Sequence, residues 1–337
     1  MLTGVIAISQ RIVSGLALLL IVSIVVFGAL RMLPADPLAM MLPPNATRED
    51  AEVMRRALGF DRSIGEQFAI WLRNAVSADL GTSIQSRIPV TDLVLKALPM
   101  TIELVVCGLI LGLVLGLGMG LASFYWRGGI FERIAEIFNN VAQAIPEFLW
   151  AILLILGLGI GLALLPFIGP IASHITVPTT TGFMLIDTLI AGRPDAFLSR
   201  VGHLVLPSIA LSMTKAPLIM RVLRSSLLDA YANEYVAAAR LRGMGERRIL
   251  FVHALRNAAL PTISLIGVQA SHMFGGTLLI EAIYGLPGIG SLMIGAVRTH
   301  DLPLIQGLAV TYCAAVLALN ALVDVAYRWL DPRLRAQ

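Results

Sequence analysis

The chain has 337 residues, of which 57% are hydrophobic and only 14% charged, with a mean hydropathy of +0.84. So little polar surface cannot cover a soluble globule of this length, which excludes the soluble classes and makes this a membrane protein. The net charge of +4 is carried by arginine, since Lys96 and Lys215 are the only lysines, and the arginines gather in one loop, a sign of membrane topology and not of nucleic-acid binding.

In chain order, Ile12 to Leu30 is an apolar run behind Arg11. It is longer than a signal-peptide core and lacks a small-x-small cleavage site, so it is expected to remain as a first span with its N-terminus inside. Further apolar stretches near 100–123, 135–162, 203–222, 258–280 and 304–327 predict an all-α integral membrane protein of six spans, with both termini cytoplasmic. Charge agrees with this orientation. Leu223 to Asn257 holds Arg224, Arg240, Arg242, Arg247, Arg248 and Arg256, and the tail holds Arg328, Arg333 and Arg335, whereas Glu281 to Pro303 has only Arg298.

The segment 31–99 is expected to be an outer insertion: its eight basic residues are balanced by eight acids, and so long a loop crosses largely regardless of charge. Leu33 to Pro37 (LPADP), Leu42 to Asn45 (LPPN) and Asp79 to Ser83 (DLGTS) read as turns. Arg48 to Ala57 and Ile64 to Ala75 read as short amphipathic helices, with Phe68 and Trp71 on the apolar face of the second.

In the second span Gly108, Gly112, Gly116 and Gly120 recur every four residues, a stripe that lets a neighbouring helix approach closely; Gly157 and Gly161 are expected to repeat the device in the third. Pro146 interrupts the third span, and Pro207 and Pro217 fall in the fourth, where they free carbonyls and bend helices that line a path or merely kink. Glu103, Glu147, Lys215 and Asp324 are the ionisable groups nearest membrane depth. All sit near span ends or polar neighbours, and none has the pattern of a buried proton relay. Cys107 and Cys313 lie in apolar runs as packing residues. Glu281 to Gly290 (EAIYGLPGIG) predicts a tight, backbone-exposed turn at Gly285, Pro287, Gly288 and Gly290.

Glu234 to Pro261, EYVAAARLRGMGERRILFVHALRNAALP, is a polar island in a hydrophobic chain, with five arginines against Glu234 and Glu246. Val236 to Leu241 are mostly good helix formers, Gly243 and Gly245 interrupt them, and Glu246 to Asn257 resumes a helical composition: helix, glycine corner, helix. Two readings stand: a packed cytoplasmic cap, or a stiff element that docks in a cleft of a soluble motor. For docking, Ala237, Ala238 and Ala239 permit close approach, Gly243 permits a left-handed corner, and Arg240 and Arg242 supply steering.

With His253, Asn257 and Pro261 following at set intervals, this order resembles the EAA loop of ABC importer permeases, in the form found in the B-type permeases of dipeptide/oligopeptide importers. It departs from the general loop at Ala237, where that loop has an acid, and in a Leu-Pro farther from the glycine. The resemblance extends to Leu58 to Arg62 (LGFDR), DLGTS, Thr179 to Gly192 (TTTGFMLIDTLIAG), the EAIYGLPGIG block, Asp301, Pro303 and Gln306, Asn320, Asp324 and Tyr327, and the closing Asp331, Pro332 and Arg333, so it covers essentially the whole chain. It implies a single permease domain over 1–337 in the bacterial inner membrane, with a type I importer fold, a periplasmic insertion at 31–99 and a coupling loop at 223–258. It further implies a second homologous permease subunit, two ATP-binding cassette ATPase subunits and a periplasmic solute-binding protein, which the insertion either docks or leaves alone while capping the helix ends. Close relatives of the family carry nickel, glutathione or other small solutes, so the resemblance leaves the solute open among these and peptides.

The chain has no GxxxxGK[ST], HExxH or GxSxG, and no enzymatic role or cofactor is expected. His174, His203, His253, His272 and His300 are scattered without metal-ligand spacing; His272 is the pore-lining candidate, beside Pro146 and Pro217. A secondary transporter or channel is the alternative, but neither mid-membrane charge nor an internal repeat supports it. An intramembrane hydrolase lacks its motifs.

Overall fold

The computed structural model describes residues 2–32, 47–57, 59 and 61–330. The LPADP and LPPN turns, Leu58 and Phe60 of the LGFDR motif, and Asp331, Pro332 and Arg333 lie outside the described residues. Apart from one bridge between Thr82 and Pro89, the regular structure described is helical. In order it comprises α1 Leu2–Arg31, α2 Arg48–Ala57, α3 Ile64–Val76, α4 Val90–Tyr125, α5 Ile130–Ala144 and α6 Glu147–Leu154, which runs on as a π-helical stretch Ile155–Gly161. Then follow α7 Met184–Ile190, α8 Pro194–Met213, α9 Ala216–Tyr231, α10 Glu234–Leu241, α11 Glu246–Tyr284 with a π-helical stretch at Ile249–Ala254, α12 Ile289–Arg298 and α13 Leu302–Leu330. Five of these are long and apolar enough to cross a membrane, and the pair α5 and α6, bent by 107°, makes a sixth if counted as one broken span.

The chain forms two compact units, one of residues 1–99 with 287–318, the other of 100–286 with 319–337. In the first, the insertion folds as its pattern predicts. Ser63 and Glu66 form a reciprocal capping box that starts α3. Its Phe68 and Trp71 rings pack with Phe27 of α1 at centroid distances of 5.4 and 6.3 Å. The DLGTS turn closes when Asp79 Oδ1 accepts from the Gly81 amide at 2.9 Å. Buried Asp301 then accepts from Ser83 Oγ at 2.5 Å and from the Gln85 amide at 3.1 Å. Val90, Val94 and Ala97 build a core with Ile289, Ala296, Leu304 and Leu308. The helix expected to begin near residue 100 therefore starts at Val90, because the insertion ends once Val90 and Val94 find apolar partners.

In the second unit the glycine stripe of α4 does what small-xxx-small spacing predicts. A Cβ at Gly108 would lie 2.9 Å from Leu211, one at Gly116 2.7 Å from Ile219 and one at Gly120 3.1 Å from Leu223, so α8 and α9 rest directly on the α4 backbone. Gly157 and Gly161 do not repeat this. Nothing lies within 4 Å of a Cβ at Gly157, Gly161 meets only the Leu156 carbonyl, and it is Gly159 that admits a neighbour, the Phe167 ring.

Three further expectations are corrected. The fourth span runs from Pro194 to Met213, not 203–222, and a turn at Thr214 and Lys215 separates it from α9. Pro217 is consequently not a kink within a span; it occupies the first turn of α9, where its missing amide has no intrahelical partner to lose. Likewise α11 begins at Glu246, not near 258, and passes through Pro261 without ending. The EAIYGLPGIG turn is tight, with Gly285 left-handed at φ 65°; Gly285 and Pro287 are exposed as expected, while Gly288 and Gly290 are buried together with Glu281, Tyr284, Leu286 and Ile289.

Candidate functional site

The Glu234–Pro261 stretch folds into helix α10, a corner and the start of α11. The corner is a Schellman motif. Gly243 has φ 75°, its amide donates to the Arg240 carbonyl at 2.9 Å, and the Met244 amide donates to the Ala239 carbonyl at 3.1 Å. Only glycine holds this left-handed position without steric cost, and a Cβ there would meet nothing else, so its requirement is purely conformational. Val236, Ala239 and Ile249 form a small buried cluster with Tyr231, Tyr235 and Met244 around them, which pins α10 to the first turns of α11.

That packing sorts the three alanines. Ala239 faces inward and is buried, Ala238 is half-buried and Ala237 is exposed. Leu241, one turn beyond Ala237, is 90% exposed. The outward face of α10 therefore consists of Glu234, Ala237 and Leu241. Leu241 escaped notice in the sequence because its spacing from Val236 and Ala239 does not distinguish the inner from the outer face.

Arg240 is not a free steering charge. Its guanidinium donates to Glu246 Oε1 and Oε2 at 2.6 and 3.3 Å and lies 5.7 Å from the Tyr231 ring centroid, and the hydrogen bond to Glu246 raises its pKa above the ordinary value. Arg240 and Glu246 thus bridge the corner they flank, while Arg242 remains exposed at the end of α10. Behind the corner lies a hollow of about 490 Å³ lined by Phe124, Arg127, Tyr231, Arg240, Glu246 and Leu250. His253 is half-buried in the π-helical stretch of α11, and Asn257 and Pro261 are exposed farther along that helix, so these three stand apart from the corner.

Of the three path candidates, two converge. The chain breaks at Ile145 and Pro146, whose extended backbone ends α5 and re-aims α6. Glu147 there accepts from Thr214 Oγ1 at 3.3 Å and pairs with Lys215 Nζ at 3.4 Å, at the turn between α8 and α9. Its carboxylate rests on Gly276 of α11, where a Cβ would collide with Oε1. His272, exposed, is one turn from Gly276 on the same face of α11. Pro217 does not join them. It is buried, and its carbonyl accepts from the Asn139 amide at 2.8 Å, while that side chain's oxygen accepts from Arg221 at 3.1 Å.

Two buried polar anchors also organise this unit. Arg200 donates to Glu103 at 2.5 and 3.2 Å and to the Pro170 carbonyl at 2.8 Å, and Glu103 accepts from the Leu185 amide at 2.7 Å. Glu103 is one of the ionisable groups expected near a span end, whereas Arg200 falls between the apolar stretches near 135–162 and 203–222 and carries no signal of burial in the sequence. Glu281 is fully buried and accepts from Thr101 Oγ1 at 2.6 Å. Among the described residues no three His, Cys, Asp or Glu side chains gather closely enough to hold a metal ion.

Comparison with known proteins places this geometry. The family model "Binding-protein-dependent transport system inner membrane component" matches residues 108–336, and the corresponding N-terminal model matches residues 5–105. The dipeptide transport system permease protein DppB of Escherichia coli K12 is 32% identical over 93% of this chain and 94% of its own length. The di/tripeptide transport system permease protein DppB of Pseudomonas aeruginosa is 32% identical over 94% of each chain. Among solved structures, an inward-facing form of the MetNI methionine ABC transporter matches with a TM-score of 0.52 at 16% identity, covering 71% of this chain and 96% of that one, which supports the fold. The chain belongs to the family of inner membrane components of binding-protein-dependent transport systems.

Proposed function

We propose that this chain forms one half of the path by which an ATP-driven importer moves di- and oligopeptides delivered by an external binding protein. The supporting observation is the cornered helix α10, which offers Ala237 and Leu241 outward on a rigid Schellman turn beyond the apolar helices. An exposed leucine flanked by charge fits a motor's cleft better than it fits a solvated cap. In this reading the chain pairs with a second homologous permease subunit and takes force from two separate ATPase subunits docked at α10. Both termini and α10 are cytoplasmic and the 31–89 insertion is periplasmic. The names carried by its relatives favour peptides over nickel or glutathione as the solute.

Reconstitution with the cognate second permease, ATPases and binding protein tests this directly. ATP-dependent uptake of labelled dipeptide that vanishes when the binding protein is omitted is the expected result. A sugar co-purifying with that binding protein, with no peptide uptake, would overturn the peptide assignment.

A further inference from the structure

Glu147 and Lys215 meet where two breaks in the helices of the second unit come together. Lys215 lies in the turn that follows the fourth span, between α8 and α9, and Glu147 is the first residue of α6, just after the break at Ile145 and Pro146. The side chains are not sealed inside the unit: 15% of Lys215 and 22% of Glu147 is exposed. A charged pair left partly open on a bundle of membrane helices is costly against hydrocarbon, so a polar path, or a partner helix that lines one, is the surrounding that suits its open side.

The two groups are held unequally. Glu147 has a seat, with its carboxylate over Gly276 and the Thr214 hydroxyl on Oε2. Lys215 is tied to this site by the ion pair at 3.4 Å, longer than a well-formed charged hydrogen bond, on a flexible four-carbon stem. The lysine can swing away while the carboxylate stays. An extended dipeptide spans about 7 Å, so its two ends fit Glu147 and a swung-out Lys215 but not the closed pair.

We propose that Glu147 and Lys215 form a transient subsite for the free termini of a peptide, the α-ammonium exchanging onto Glu147 and the α-carboxylate onto Lys215. The pair satisfies itself while the path is empty, and a zwitterionic solute replaces each half with an equal charge, so no charge is left uncompensated at any stage. A solute with one or both termini blocked leaves one partner bare and passes poorly. This proposal rests on the peptide-permease reading above and adds the chemical group selected along the path.

The test has two arms. In the first, Thr214→Cys is introduced with Cys107→Ala and Cys313→Ala into the full complex, and maleimide labelling is followed with free dipeptide or the N-acetyl dipeptide amide at about 10 mM. Labelling slowed several-fold by the free dipeptide alone is expected; equal protection by both, or by neither, overturns the proposal. In the second, saturating uptake of free dipeptide is measured for Glu147→Gln/Lys215→Met, which removes both charges together, and for Gly276→Ala, whose methyl displaces the carboxylate from its seat. A fall of tenfold or more at normal membrane abundance is expected for both, while Gly275→Ala, where a Cβ meets nothing within 4 Å, stays at the wild-type rate. Wild-type uptake by the neutral pair refutes the subsite and leaves the peptide-permease reading standing; no peptide uptake by the wild-type complex removes both.

Discussion

Arg200 and Glu103 meet at 2.5 Å with the arginine side chain wholly buried, and together they tie the Pro170 carbonyl and the Leu185 amide to α4 and α8. Removing one member leaves the other charged and unpaired, at a cost of about 3–5 kcal/mol. Arg200→Met and Glu103→Gln are each expected to lower the thermal midpoint and membrane abundance of the complex, and Glu103→Gln/Arg200→Met to recover part of the loss. A double variant no better than the worse single one would show that the pair is not the cause.

The glycine stripe makes a graded prediction. At Gly116 a Cβ meets Ile219 at 2.7 Å and the Ala216 carbonyl at 2.8 Å, and the backbone oxygen cannot rotate away; at Gly112 the nearest atom is 3.5 Å off. Gly116→Val is expected to cost about 1–3 kcal/mol or more by forcing α9 from α4, and Gly112→Ala close to nothing. Thermal unfolding of the purified complex ranks the two.

Asp187 supplies a pH-dependent prediction. Burial, the largest influence, pushes its carboxyl up, but the Thr181 hydroxyl and the amides of Thr181, Thr180 and Gly182 outweigh it and hold the carboxyl below its ordinary range. A group depressed in the folded state stabilises above its unfolded pKa, about 3.9, and loses that contribution as pH falls through the lower folded value. Asp187→Asn sets an amide against the Gly182 N–H that donates at 3.2 Å, and is expected to destabilise by about 1–3 kcal/mol at neutral pH. The gap in thermal midpoint between wild type and variant should hold from pH 7 to 5 and narrow below about 4; a gap that widens on acidification contradicts the assignment.

The sequence was most legible where one local rule decides the outcome. Gly243 corners α10 because only a left-handed residue closes a Schellman turn, Ile64–Val76 is a helix because Phe68 and Trp71 recur on one face, and Gly108, Gly116 and Gly120 face a helix that leaves no room for a Cβ. What stayed hidden depends on which neighbour arrives. Arg200 lies outside the apolar stretches of the sequence and becomes a core residue because α8 starts at Pro194, and Pro217 is no kink because the break falls three residues earlier, at Thr214. Leu241 and Ala239 have similar helical credentials, and only the buried Val236 and Ile249 decide that Ala239 points in and Leu241 out. The Glu147–Lys215 pair joins residues far apart in the chain, which periodicity within single spans does not reveal.

The central claim is that α10 docks the motor, and its outward face offers a substitution free of the chain's own packing. Leu241→Asp removes an apolar group that is 90% exposed, and Ala237→Trp adds bulk at an exposed position, so neither disturbs the Val236 cluster; Gly243→Val strains the corner itself by roughly 1–2 kcal/mol. The decisive measurement is the amount of ATPase that co-purifies with Leu241→Asp complexes, normalised to the permease present in the membrane. Near-normal permease abundance with ATPase association reduced tenfold or more is the predicted result, and normal abundance with normal association and normal uptake would contradict it.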